Sequence, residues 1–335
     1  MLRISVIGAG GWGTALAKLL AESGHNVRLW AFEPEIVAQI QTLHENQLYL
    51  PDIALPPTLA VTNDIAAAVQ DAELVVLVPP SHVMRGVVQS LAPALSPTAL
   101  VVCCSKGIEI DSGKLMSDIV QEALPQHSAE QFAFLSGPSF AREVALGHPT
   151  AVVIASNNAD VAKKVQAAFR TPNFLPFAHD DVIGVELGGA LKNVMAIATG
   201  LVDGLGFGNN TRAALMTRGL YEMIKLGRAL GANPLTFAGL AGMGDLILTC
   251  TGALSRNRHV GVELGKGHRL EEILRNTRSV AEGVGTAKAV QTLIRRHHVS
   301  APICTAVYEI LFEEKSPRVA LQELTSMVLT EEFHI

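Results

Sequence analysis

The sequence predicts an α/β protein: a doubly wound, parallel sheet in the first half and an all-helical second half. Three observations carry that prediction. A β-branched run, Ile4-Ser5-Val6-Ile7, feeds straight into Gly8-Ala9-Gly10-Gly11-Trp12-Gly13, and a helix-forming stretch from Thr14 to Glu22 follows at once. Short apolar strands then alternate with helical patterns as far as about residue 180. Beyond that point strand-like runs vanish, and helical periodicity continues to the end.

The first turn is a Gly-x-Gly-x-x-Gly fingerprint of the Rossmann type. Gly8 allows the tight strand-to-helix turn, Gly10 lets backbone approach a pyrophosphate, and Gly13 permits helix to pack closely on strand. The helix N-terminus adds free N–H groups and the positive end of its dipole. A second strand, Val27–Trp30, comes next, and Glu33 lies twenty residues after Gly13, where an acidic side chain binds adenosine ribose hydroxyls. The cofactor implied is NAD or NADP. Phe32 cannot pair with a 2′-phosphate and Glu33 would repel one, which tilts the choice slightly toward NAD; Arg28 is a basic group that could still reach the site. The expected division is 1–180 for the dinucleotide-binding domain and 181–335 for a helical substrate and catalytic domain.

The further strands expected are Arg3–Ile7, Leu74–Val78, Leu100–Cys104, Phe132–Leu135, Ala151–Ala155 and Asn173–Pro176, with helices at Glu35–Leu43, His82–Leu91 and Asp160–Phe169. Three strands end in Pro79-Pro80-Ser81, Ser105-Lys106-Gly107 and Ser136-Gly137-Pro138-Ser139. Ligands of open α/β sheets bind at the carboxyl ends of strands, so these loops should converge. In the second half, Asp181 to Asp203 reads as a long helix carrying Gly184, Gly188, Gly189 and Gly200. Each interior glycine costs about 1 kcal/mol against alanine, so a neighbouring helix or a cofactor is expected close to its backbone. Helices follow at Thr211–Leu230, Arg256–Leu264, Thr286–Arg295, Ile303–Phe312 and Ser316–Leu324.

Composition excludes several function classes. With 335 residues, 49% hydrophobic and 17% charged, the chain has ample length for large cores. The balance of 26 basic and 31 acidic residues gives a net charge of −5 without a long basic run, which argues against a nucleic-acid partner. A core strand begins within three residues of Met1, and runs such as Leu74 to Pro80 are too short to span a bilayer, so neither a signal peptide nor an integral membrane protein is expected. Cys103, Cys104, Cys250 and Cys304 lack metal-ligand spacing and read as buried thiols of a cytoplasmic protein, with no metal site. Cys103 and Cys104 are expected on opposite sheet faces.

A nicotinamide enzyme needs a group that moves a proton while the cofactor moves a hydride. Lys192 lies on the glycine-bearing helix in Glu186-Leu187-Gly188-Gly189-Ala190-Leu191-Lys192-Asn193, a small and apolar setting. Facing a polar cleft there, it would have a depressed pKa useful for acid–base work; an exposed structural lysine is the other reading. Asp245, in Gly242-Met243-Gly244-Asp245-Leu246, either hydrogen-bonds a lysine ammonium or a substrate hydroxyl, or caps a helix. Ser255-Arg256-Asn257-Arg258 offers donors suited to phosphate ahead of a helix, or is a solvated loop. Lys106, at a strand end, is a second cation over the crevice.

These motifs together resemble the bacterial-type NAD(P)-dependent glycerol-3-phosphate dehydrogenases, over a stretch from Gly8 to about Gly285. The resemblance also takes in Tyr49-Leu50-Pro51, Phe140-Ala141 and Val280-Ala281-Glu282-Gly283. It implies reversible oxidation of sn-glycerol 3-phosphate to dihydroxyacetone phosphate, supplying glycerol phosphate for phospholipids. By the same resemblance, Lys192 is the acid–base group, aided by Asp245, Asn193 and Lys106. Lys106, Gly137, Ser139, Asp245, Ser255, Arg256 and Asn257 would contact the substrate. Gly11, Trp12, Lys106, Ala141, Arg256, Val280 and Glu282 would contact the cofactor. Other two-domain dehydrogenases with a lysine helix, of the β-hydroxyacid or 6-phosphogluconate type, lack Ser255-Arg256-Asn257 beside Gly244-Asp245, and a redox-sensing NAD-binding protein would need no acid–base residue. The apolar C-terminal helices have two open uses, a homodimer interface or completion of the core.

Overall fold

The computed structural model describes residues 1–275 and 280–326; residues 276–279 and 327–335 of the expected helical domain lie outside the described residues. The first half holds an eight-stranded sheet: β1 (Arg3–Ile7), β2 (Asn26–Trp30), β3 (Ala60–Thr62), β4 (Leu74–Leu77), β5 (Leu100–Cys103), β6 (Phe132–Ser136), β7 (Thr150–Ala155) and β8 (Phe174–His179). Their order is β3-β2-β1-β4-β5-β6-β7-β8, so the strand order reverses between β1 and β4. A crevice opens at such a reversal, outside the strand carboxyl ends.

Pairing is parallel from β3 to β6, with Val6 opposite Leu29 on one side and Val76 on the other. One expectation needs correcting: the sheet is not wholly parallel. β7 runs antiparallel to β6, with Leu135 opposite Ile154, and β8 then runs parallel to β7. An antiparallel neighbour needs no crossover across the sheet, so the segment between β6 and β7, with its short helix Ala141–Ala145, can stay at the crevice end.

The sheet is buried on both faces, which is why its strands read as near-continuous apolar runs. Val6, Leu29, Val76 and Val102 pack into one core, and Ile7, Val75, Leu77 and Val101 into the other. Cys103 and Cys104 fall into opposite cores, as alternation requires, and all four cysteines are free and buried.

The second half is built around the helix Val182–Gly204, capped at its start by Asp181, whose carboxylate accepts from the Gly184 N–H at 2.9 Å. By length and composition this helix could cross a membrane, which the sequence reading overlooked; 89% of its apolar window is buried inside the protein. It is a core helix. Its glycines explain how so much packs around it: a Cβ on Gly200 would collide with the Arg258 carbonyl, and one on Gly261 with the Ile197 carbonyl, so the helix Arg256–Gly265 crosses at backbone contact. The helix Pro302–Phe312 completes this core through Ile303, Val307 and Leu311.

Candidate active site

The Gly11–Glu22 helix begins one residue after Gly10, which caps it without any side-chain hydrogen bond, so the first N–H groups stay available to an anion. Gly8 has φ 115°, a conformation L side chains avoid, and a Cβ on Gly13 would strike the Gly8 carbonyl oxygen. A Cβ on Gly10 would meet nothing within 4 Å, so that face is open. The Trp12 Nε1 is buried without a protein partner. Open backbone donors, absent side chains and one orphaned donor fit a dinucleotide pyrophosphate.

The three strand-end loops do converge. Ser105 Oγ donates to the Pro79 carbonyl at 2.5 Å, and Lys106 Nζ donates to the Gly137 carbonyl at 2.8 Å. Ser139 Oγ donates to the same carbonyl at 2.9 Å. Gly189 of the central helix faces this cluster: a Cβ there would come within 3.3 Å of the Lys106 side chain.

Gly188, one residue earlier, lets the central helix touch backbone at Ala241, inside the π-type turn Leu240–Gly244. That turn delivers Asp245 to Lys192. The Lys192 ammonium donates to Asp245 Oδ1 at 2.7 Å and to Thr249 Oγ1 at 2.8 Å, while Lys106 donates to Asp245 Oδ2 at 2.7 Å. One carboxylate therefore holds two ammonium groups, and it is 1% exposed. Asp245 is not a cap; Gly244 occupies that position and the carboxylate is spent on the lysines. Lys192 is 7% exposed, so it is not a surface lysine.

Burial is the main influence on Lys192 and lowers it to about 8, against the pull of Asp245. Burial alone would raise Asp245, but the two ammonium groups and their hydrogen bonds hold it below the usual carboxylate range. A buried cation can share a carboxylate here because every charge is paired and hydrogen-bonded.

The remaining residues form a second chain of contacts. Asn193 Nδ2 donates to the Gly189 carbonyl at 3.3 Å, and its Oδ1 accepts from Asn257 Nδ2 at 2.8 Å. Asn257 Oδ1 accepts from the Gly283 N–H at 2.9 Å. Ser255 caps the Arg256–Gly265 helix through the Arg258 N–H at 3.2 Å. Arg256, at the first position of that helix, makes no hydrogen bond or salt bridge with the described residues; its side chain stays accessible, yet burial of the guanidinium pulls it below its ordinary value, against the charge of nearby Glu282. Glu282 opens the helix Glu282–His297 and accepts from the Ser81 N–H at 3.0 Å and from the Ser81 hydroxyl, tying the end of β4 to the helical half. Ala141 lies beside Gly11: a Cβ built there would be 3.9 Å from that of Ala141. Val280 is 40% exposed. Glu33 lies three residues beyond β2, just before the helix Pro34–Leu43; it is half-buried and accepts from the Tyr49 hydroxyl at 2.9 Å.

Sequence reasoning missed Thr249, Ser81 and Ser136, whose hydroxyl is buried without a partner next to Gly189. Thr249 had a signal: it stands one helical turn after Asp245, on the same face. Ser81 and Ser136 stood in two of the strand-end loops expected to converge, but their hydroxyls were given no role of their own.

Two family descriptions match the chain, the NAD-dependent glycerol-3-phosphate dehydrogenase N-terminus over residues 3–162 and its C-terminus over residues 181–322. A glycerol-3-phosphate dehydrogenase (NAD(P)+) of Geobacter sulfurreducens is 54% identical over 330 residues, 98% of each chain. One of Citrifermentans bemidjiense is 53% identical over the same length, with the same coverage. The crystal structure of a Coxiella burnetii glycerol-3-phosphate dehydrogenase superposes with a TM-score of 0.93 at 39% identity, covering 97% of this chain and 99% of that one. On fold, full-length likeness and matched halves alike, the chain belongs to the NAD-dependent glycerol-3-phosphate dehydrogenase family.

Proposed function

We propose that Lys192 is the acid–base group of this chain, oriented by Asp245 and Thr249, and that Arg256, Ser255 and Asn257 receive the substrate phosphate. The reaction is the family's interconversion of sn-glycerol 3-phosphate and dihydroxyacetone phosphate with NAD or NADP. The carrying observation is the 2.7 Å contact between a 7% exposed Lys192 and Asp245. When bound, the dinucleotide supplies or accepts the hydride. In the reducing direction, charged Lys192 gives its proton to the alkoxide oxygen as it forms; in the oxidising direction, neutral Lys192 takes it back. A value of about 8 keeps both forms populated near neutrality.

Lys106 and Asn193 are the donors assigned to that oxygen, and Gly137 and Ser139 line the same loop. Gly8, Gly10, Gly11, Trp12 and Gly13 are assigned to the pyrophosphate, Glu33 to the ribose, and Lys106, Ala141, Arg256, Val280 and Glu282 to other contacts with the cofactor. The Arg256 guanidinium beside a helix N-terminus, held by no hydrogen bond or salt bridge among the described residues and with Glu282 as its charged neighbour, is the support for a phosphorylated substrate. The domain division at 180 and 181 is supported by the end of β8 at His179 and the start of the central helix at Val182. A cytoplasmic enzyme supplying glycerol phosphate for phospholipids is the setting this reading implies.

The test is an assay of dihydroxyacetone phosphate with NADH and NADPH in parallel, following loss of the reduced cofactor's absorbance. Turnover is expected. No turnover with either would remove the reading.

A further inference from the structure

Tyr49-Leu50-Pro51 carries no chemistry in the reaction, yet its segment is anchored at three places around the dinucleotide fingerprint. Asn46, 0% exposed, donates to the Ala9 carbonyl inside the glycine turn and to Thr14 Oγ1, both at 2.8 Å. The Tyr49 N–H donates back to Asn46 Oδ1 at 3.1 Å, and the Leu50 N–H to the Asn46 carbonyl at 2.8 Å. Gly11 leaves room for the Tyr49 carbonyl, which would lie 2.8 Å from a Cβ. Arg142, beside Ala141, donates to the Pro51 carbonyl at 2.7 Å. Segment 44–55 is thus a strap fixed to the pyrophosphate turn at one side and to the Ala141–Ala145 helix at the other.

From the strap the Tyr49 hydroxyl reaches the carboxylate beyond β2, donating to Glu33 Oε1 at 2.9 Å. Burial and then the Glu33 contact raise the Tyr49 phenol above its ordinary 10.0, so it remains a donor at neutral pH. Glu33 Oε2 accepts from no described residue, and the side chain does not cap its own helix. The charges around it disfavour a further anion. Glu35 adds a second carboxylate in the first turn of the Pro34–Leu43 helix, and Phe32 is 77% exposed with its ring edge against Trp30. Arg28, left open by the sequence, is committed to the carbonyls of Ala67, Ala68 and Gln70. The helix N-terminus itself would welcome a phosphate; an immobilised carboxylate in front of it reverses that preference.

We infer that Tyr49 is a specificity-determining positioning residue: held by the strap, its phenol fixes the Glu33 carboxylate as an acceptor for a free ribose 2′-hydroxyl and as a fixed charge against a 2′-phosphate. The inference rests on the dinucleotide reading of the glycine turn. Without the phenol, Glu33 can swing away, and discrimination falls even though the carboxylate remains.

Calorimetric titration of the intact protein with ADP and with 2′,5′-ADP tests this without turnover. Wild type is expected to prefer ADP by roughly 10-fold or more, the scale of one charge-assisted contact and its lost counterpart. Tyr49→Phe should shrink that preference by roughly 3- to 10-fold, and Glu33→Gln should abolish it. Structural damage alone would weaken both nucleotides equally; an unchanged ratio in Tyr49→Phe overturns the role of Tyr49. Wild-type preference for 2′,5′-ADP, or equal binding of both, overturns the inference while leaving the dinucleotide reading standing. Binding of neither overturns both.

Discussion

The two halves of the molecule bury polar groups of different kinds. In the sheet half the buried polar side chains are Ser5, Thr14, Asn46, Ser81, His127, Ser136, Thr150 and Ser156. Of these only the His127 imidazole titrates in the ordinary range, and burial pushes it below its usual value. Among the described residues, the buried carboxylates and the buried ammonium, Glu186, Glu222, Asp245 and Lys192, all stand in the helical half. There desolvation lowers Lys192 to about 8 and raises Glu186 to about 8 and Glu222 to about 7. Glu186 and Glu222 each accept from backbone at a helix start, the Ser117 N–H at 2.9 Å and the Ile303 N–H at 2.7 Å. The sheet half is suited to hold a ligand with fixed backbone dipoles, which need no change of protonation. Proton transfer needs a side chain whose charge is marginal, and buried Lys192 of the helical half, held against Asp245, is such a group.

The sharpest way to break that contrast is Lys192→Ala. Its turnover should fall roughly 100- to 10,000-fold, while ADP affinity stays at the wild-type level. In the wild type, turnover in the reducing direction should decline as pH rises through about 8, because the proton donor is lost, and the oxidising direction should show the opposite slope. Near-normal turnover of the variant would end the assignment of proton transfer to the helical half.

Gly13→Ala probes the other side. Its Cβ would collide with the Gly8 carbonyl, and overpacking of this kind costs about 1–3 kcal/mol. Lower thermal stability and weaker ADP binding are expected together. A variant that binds ADP normally would show that close backbone approach is not what the sheet half contributes.

The smallest effect concerns Glu222. Its folded value of about 7 lies above the ordinary 4.5, so the folded state holds the extra proton between them. That contribution is complete below the unfolded value and is lost as pH rises through the folded one. The thermal midpoint of wild type minus that of Glu222→Gln should therefore drop by roughly 2–4 °C between about pH 5 and about pH 8.5. A pH-independent difference would remove Glu222 from the titrating groups.

Much of this was legible beforehand. The seven expected strands match observed ones to within a few residues, and the central helix was expected one residue from where it starts. β3 escaped notice because it is a three-residue edge strand, too short for a period of two to register. The turn Leu240–Gly244 escaped because the run Gly239 to Gly244, with its three glycines, carries no apolar period; its shape comes from the Gly244 N–H meeting the Gly239 carbonyl at 3.1 Å.

By itself the sequence determined what is local: the glycine turn, whose φ and close approach depend on missing side chains in successive residues, and the alternation of strand and helix. It also marked Lys192 as out of place on a small, apolar helix. The tertiary structure alone decided what Lys192 meets. Asp245 stands 53 residues away from Lys192 and 139 from Lys106, and Tyr49 meets Glu33 across a strap rather than along a helix face. Such pairings depend on which backbones can approach, and here Gly188 and Gly189 allow the approach. Packing, not periodicity, chose the partners of the charged groups, because a buried charge is tolerated only where its counter-charge has been brought to it.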